Sequence, residues 1–185
     1  MKTGKFLRTA AVALVVLCAA SLASAQLNSG AQTIALNANL TESLTVSLSA
    51  NAVNFTLAAG SAANPGSTNI TATTAWTLKP GRTAVGVYAY FGNAAAALTD
   101  GAGNNIPSSA FFISDNGGAS TALTNTVAFG GANGGLQLAN VAITGLNKTA
   151  NRTDVMGFNI NLTTLPQLPA ATYTGTLNIQ AQATP

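Results

Sequence analysis

The stretch from Gln32 to Ala50, QTIALNANLTESLTVSLSA, restricts the fold more than any other part of the chain. From Ile34 onward the even positions read Ile, Leu, Ala, Leu, Glu, Leu, Val, Leu, Ala, and the odd positions are mostly Asn, Thr and Ser. A period of two puts the apolar residues on one face of an extended chain. The run is about three times the usual strand length of roughly 5–6 residues. Two readings stand. The ribbon is one bent strand that switches sheets at the corner of a sandwich, with Glu42 at the bend. Or it is two pieces: an arm to about Leu40, a joint at Thr41-Glu42-Ser43, and the domain's own first strand from about Leu44.

The alternation recurs downstream. Ile70, Ala72, Thr74, Trp76 and Leu78 share one face of their run, and Val85, Val87, Ala89 and Phe91 share one face of the next. Ala110–Ile113, Leu123–Phe129, Leu136–Ile143, Met156–Leu162 and Tyr173–Ala183 complete the series of predicted strands. Turn signals separate them: Asn64-Pro65-Gly66, Lys79-Pro80-Gly81, Asp100-Gly101, Asn116-Gly117-Gly118, Gly130–Gly135 and Pro166–Pro169. Thr, Asn, Ser and Gly are poor in helix interiors, so only the alanine run Asn93–Leu98 is a candidate for a helical turn. Short strands at this spacing predict an all-β fold, a single-domain antiparallel β-sandwich. Trp76 is expected in the core between the sheets, because its neighbours two and four residues away are also apolar.

The first residues carry a different signal. Lys2, Lys5 and Arg8 precede the apolar run Ala10–Ala20, and Ala23-Ser24-Ala25 is a small-x-small site. This order predicts a secretory leader, residues 1–25, cleaved before Gln26. The chain is then exported, to the cell surface or medium or to a periplasm, with no stable membrane span after cleavage. Cys18, the one cysteine, leaves with the leader, and Leu17 before it is not the small residue a lipid anchor needs. Three of the seven basic residues leave too. Lys79, Arg82, Lys148 and Arg152 then balance Glu42, Asp100, Asp115 and Asp154. No basic patch remains for a row of phosphates, so nucleic acid is not an expected partner. A neutral surface built from Asn, Thr, Ser and Gln also resists self-association weakly.

The catalytic inventory is short. With no histidine, the commonest general base and metal ligand is missing, and no Ser–His–Asp or Cys–His site can form. Four carboxylates leave room for an acid pair. However, Asp100, Asp115 and Asp154 all lie beside turn-forming residues, which accounts for them without chemistry. Asp100-Gly-Ala-Gly-Asn-Asn105 has the look of half a calcium loop but lacks the spaced acids and closing Glu. No enzyme, cofactor or metal is therefore expected. Tyr88 and Tyr90 lie opposite Val87 and Ala89, which makes them the best candidates for an exposed aromatic pair.

The chain closes with LPAATYTGTLNIQAQATP, in which Tyr173, Gly175, Leu177, Ile179 and Ala181 alternate. An export signal, an alternating N-terminal ribbon, a Gly/Asn-rich middle and a closing Tyr-x-Gly-x-Leu-x-Ile strand resemble, in layout, the spore coat protein U family and its fimbrial relatives. Members of that group often carry a disulfide, and this chain does not. Trp76-Thr77-Leu78 is also similar to the tripeptide of Trp-x-Leu cell-wall-binding domains. The fimbrial resemblance implies an Ig-like sandwich short of one strand, a structural subunit of a surface appendage or coat. The N-terminal segment of a neighbouring copy or related subunit would fill the gap, with a periplasmic chaperone as a further partner. Residues 26–41 would be the donor arm and 42–185 the sandwich. Ile34, Leu36, Ala38 and Leu40 would be the inserted face, and Tyr173, Leu177 and Ile179 would flank the receiving groove. The alternative is a monomeric secreted binding module for carbohydrate or cell envelope, with Tyr88 and Tyr90 as ligand contacts.

Overall fold

The computed structural model describes residues 28–185; the expected leader, with Cys18, lies outside the described residues. Two units are distinguished, with the boundary between Asn39 and Leu40. In the first, residues 28–39 form no strand or helix, and Ile34 and Leu36 are 85% and 90% exposed.

The second unit, Leu40–Pro185, is all-β. Its elements in chain order are β1 (Ser43–Leu48), β2 (Asn64–Pro65), β3 (Ile70–Thr77), β4 (Ala84–Tyr90), β5 (Leu98–Thr99), β6 (Asn105–Ile106), a 3-10 turn (Ser108–Ala110), β7 (Phe111–Asp115), β8 (Thr121–Ala122), β9 (Gly135–Ala142), β10 (Thr149–Ile160) and β11 (Asn178–Thr184). One sheet runs β1-β3-β10-β7-β8, with β2 paired to β10; a second runs β11-β4-β9; β5 and β6 form a small hairpin. Every pairing is antiparallel. Two packed antiparallel sheets make this a β-sandwich.

The period-2 faces produce the core. Ile70, Ala72, Thr74 and Trp76 of β3 are buried, as are Val85, Val87 and Ala89 of β4. Trp76 lies in the core as expected, and its indole Nε1 donates to the Asn147 carbonyl at 2.8 Å. Phe111 is a hub: its ring meets Phe55, Phe91 and Phe158 at centroid distances of 5.7, 5.2 and 6.0 Å. Trp76, Leu78 and Val85 form a second, smaller cluster.

Several expectations are corrected. β10 begins at Thr149 rather than Met156, because β3 continues to Thr77 and offers a partner from Thr149 to Met156. Leu123–Phe129 is not a strand; only Asn125 bridges, to Gly135, and Leu123 is buried. The closing strand is regular only from Asn178, which pairs with Tyr90, the last residue of β4. Before Asn178 there is no β4 left to pair with. Asn93–Leu98 turns without forming a helix. Asp154 is not in a turn: it is fully buried on the inner face of β10.

Candidate functional site: an open apolar groove

The segments 51–59 and 168–177 lie outside the strand ladders and join them only through single bridges at Phe55 and Thr174. In the first, Val53, Phe55 and Leu57 are half-buried while Asn54 and Thr56 are exposed, so the segment alternates like a strand. Its backbone is held at two places: Phe55 bridges to Gly66, Ser67 N–H donates to the Asn54 carbonyl at 2.8 Å and Asn54 N–H to Ser67 Oγ at 3.1 Å, while Ala58 N–H donates to Asn64 Oδ1 at 2.7 Å and its carbonyl accepts from Ser61 N–H at 3.0 Å. In the second, Tyr173 and Leu177 are half-buried. Among the described residues, Thr174 and Thr99 exchange both backbone bonds at 2.9 Å, and positions 170–173 and 175–177 make no backbone pair.

Both segments line one groove of about 820 Å³. Its floor is the main core itself, including Ile70, Phe91, Phe111, Phe158 and Ile160. Two rims with many backbone N–H and C=O groups unpaired among the described residues, over an apolar floor, form the kind of edge to which a further strand adds. Among the described residues, no charged side chain lines the groove.

Gly175 explains how the second rim sits. A Cβ there would overlap the Ala97 carbonyl oxygen and crowd the Leu98 Cα at 3.2 Å, so only glycine allows this approach to β5. The Tyr173 hydroxyl donates to the Pro169 carbonyl at 2.9 Å and ties the rim's start to its middle. Burial, and then the charge of Asp100, hold that phenol above its ordinary pKa.

The residues singled out in the sequence divide accordingly. Tyr173, Leu177 and Ile179 all line the groove. Ile34, Leu36 and Leu40 are exposed. Val53, Phe55 and Leu57 were not expected to take part; their alternation in NAVNFTLA is the signal that marks them. Tyr88 and Tyr90 are elsewhere, on the outer face of β4, with Phe129 against both at 5.8 Å.

The carboxylates are occupied. Asp100 Oδ1 accepts the backbone N–H groups of Ala102 (2.8 Å) and Asn104 (3.0 Å), and Oδ2 accepts Asn104 Nδ2 at 2.6 Å. That is an Asx-type turn using both oxygens, and the Asn104 bond foremost holds the Asp100 carboxyl below its ordinary pKa. Asp154 Oδ1 accepts Arg152 Nε at 2.7 Å, and Asp115 lies 3.6 Å from Arg152 Nη2. Among the described residues no cluster of three or more His, Cys, Asp or Glu could hold a metal, and no helix is long and apolar enough to cross a membrane.

No family model matches this chain, and neither a curated protein nor a solved structure is significantly similar to it. The groove must therefore be read from its own chemistry.

Proposed function

We propose that this chain is an exported, non-enzymatic structural subunit of a surface appendage or coat, an Ig-like sandwich that assembles by strand complementation. The observation that carries the reading is the apolar groove between two rims that have no ladder partner among the described residues. A donor for such a groove needs large apolar side chains at alternate positions and free backbone groups. Ile34, Leu36, Ala38 and Leu40 meet the first need, and residues 28–39, which are in no sheet, meet the second. Donor and groove are both uncharged, so no ion has to be desolvated on insertion. The donor comes from a second copy or a related subunit. Until it arrives, the half-buried apolar side chains of the rims, Val53, Phe55, Leu57, Tyr173 and Leu177, call for a cover, the role a periplasmic chaperone would fill.

The test uses the absence of cysteine after Cys18. One protein carries Leu36→Cys and a second Leu57→Cys; the two are mixed and oxidised. A disulfide-linked heterodimer is expected, and far less of it when Thr56→Cys, facing away from the groove, replaces Leu57→Cys. Equal or absent cross-linking at positions 56 and 57 would overturn the proposal.

A further inference from the structure

On the outer face of the three-stranded sheet, Tyr88 lies flat along its own strand. A Cβ at Gly86 would overlap the Tyr88 hydroxyl and sit within 2.8 Å of its Cε2, so the ring rests directly on the Gly86 backbone. Phe129 packs beside this ring in a T-shaped arrangement, 5.8 Å away at 75°. Beside it opens a recess of about 490 Å³ lined by Tyr88, Asn125, Thr126, Val127, Ala128 and Gln137. Gln137 Nε2 donates to the Tyr88 hydroxyl at 3.5 Å, a long bond that leaves most of the carboxamide's capacity unused.

We propose that this recess is a binding site for a neutral saccharide. Three observations converge on that class. No lining residue is charged, which disfavours phosphates, acidic glycans and charged peptides. β4 is paired on both sides, to β11 and β9, so the backbone beneath Tyr88 is already satisfied and a ligand there meets side chains. What those side chains offer is one flat aromatic ring with carboxamides and a hydroxyl at its edge. The negative face of an aromatic ring attracts the polarised C–H groups of a pyranose. Carboxamides both donate and accept, as sugar hydroxyls require. The site stands apart from the groove and does not depend on the strand-complementation reading.

The test is calorimetric titration of the chain from Gln26 to Pro185 with neutral hexasaccharides of glucose, mannose, galactose and N-acetylglucosamine, and with oligoglucuronate. At least one neutral series is expected to bind with a Kd of about 1 mM or tighter, and the acidic series more weakly. Tyr88→Ala is expected to weaken that binding at least about tenfold. Gln137→Ala, at an exposed side chain where folding is not at stake, should weaken it about threefold or more. Leu36→Asn should leave it unchanged while impairing assembly, which separates this site from the groove. Failure of every neutral series to bind, or binding insensitive to both Tyr88→Ala and Gln137→Ala, would overturn the proposal.

Discussion

Arg82 holds Glu42 in a two-pronged grip: Nε donates to Oε1 at 2.8 Å and Nη2 to Oε2 at 3.2 Å. Arg82 Nη1 also donates to the Ala183 carbonyl at 3.2 Å, and Lys79 Nζ stands 3.8 Å from Glu42. Glu42 is the residue just before β1, so the root of that strand is fastened to the β3–β4 turn and to β11. The planar fork of arginine suits this bidentate contact, and lysine would not replace it.

This contact predicts a pH dependence. The Arg82 hydrogen bond, ahead of any other cause, lowers the Glu42 pKa from its ordinary 4.5. The stabilisation is therefore fully present above the unfolded value and is lost as pH falls through the lower folded one. Glu42→Gln should melt below the wild type at pH 7, and the gap should close on acidification through the carboxylate range. Melting curves across that range check it; a gap that is constant with pH would contradict the ion pair.

Asp115 predicts the opposite trend. Burial first, and then the neighbouring Asp154 charge, raise its pKa above 3.8. Arg152 supplies one positive charge for two carboxylates, and one oxygen of each, Asp115 Oδ1 and Asp154 Oδ2, is buried without a partner among the described residues. Ionised Asp115 thus costs stability above its raised pKa, and the cost disappears below the unfolded value. Asp115→Asn should stabilise the fold at pH 7 by up to about 1 kcal/mol, the scale of cross-strand charge pairs. The advantage should vanish in acid. Urea titrations at neutral and acidic pH read both.

Phe111→Ala removes a ring that three other phenylalanines contact at 5% exposure. A loss of about 3–5 kcal/mol is expected, seen as a lower urea midpoint at unchanged slope. A loss under about 1 kcal/mol would mean the groove floor collapses to fill the space.

Gly175→Ala tests the rim. The added methyl meets the Ala97 carbonyl oxygen and drives the segment off β5, breaking the paired Thr174–Thr99 bonds. The expected cost is about 1–3 kcal/mol, with hydrogen exchange at Thr99 and Thr174 accelerated more than in β10.

Much of the fold was legible because burial enforces period two. β3 alternates buried and half-buried residues throughout, and β4 does so except at Gly86, which is buried under the Tyr88 ring. Where the sequence misled, tertiary context had overruled local pattern. Arg152 and Asp154 look like turn residues because lone charges rarely face a core, yet each makes the other tolerable there. Leu123–Phe129 alternates, but the chain leaves the ladder to lay Phe129 against Tyr88 and Tyr90. At the groove, Tyr173 and Leu177 are readable as inward-facing, while their lack of a regular strand partner among the described residues is not, because a sequence shows which residues alternate and not which ones find a ladder. Val53, Phe55 and Leu57 were passed over because their run is short and lies beside a loop-forming stretch.

The most direct measurement is molar mass by light scattering, across a concentration series, on residues 26–185 and on residues 42–185. Strand complementation predicts concentration-dependent multimers for the longer chain and a folded monomer for the shorter one. A monomeric longer chain, or multimers that persist without residues 26–41, would contradict it.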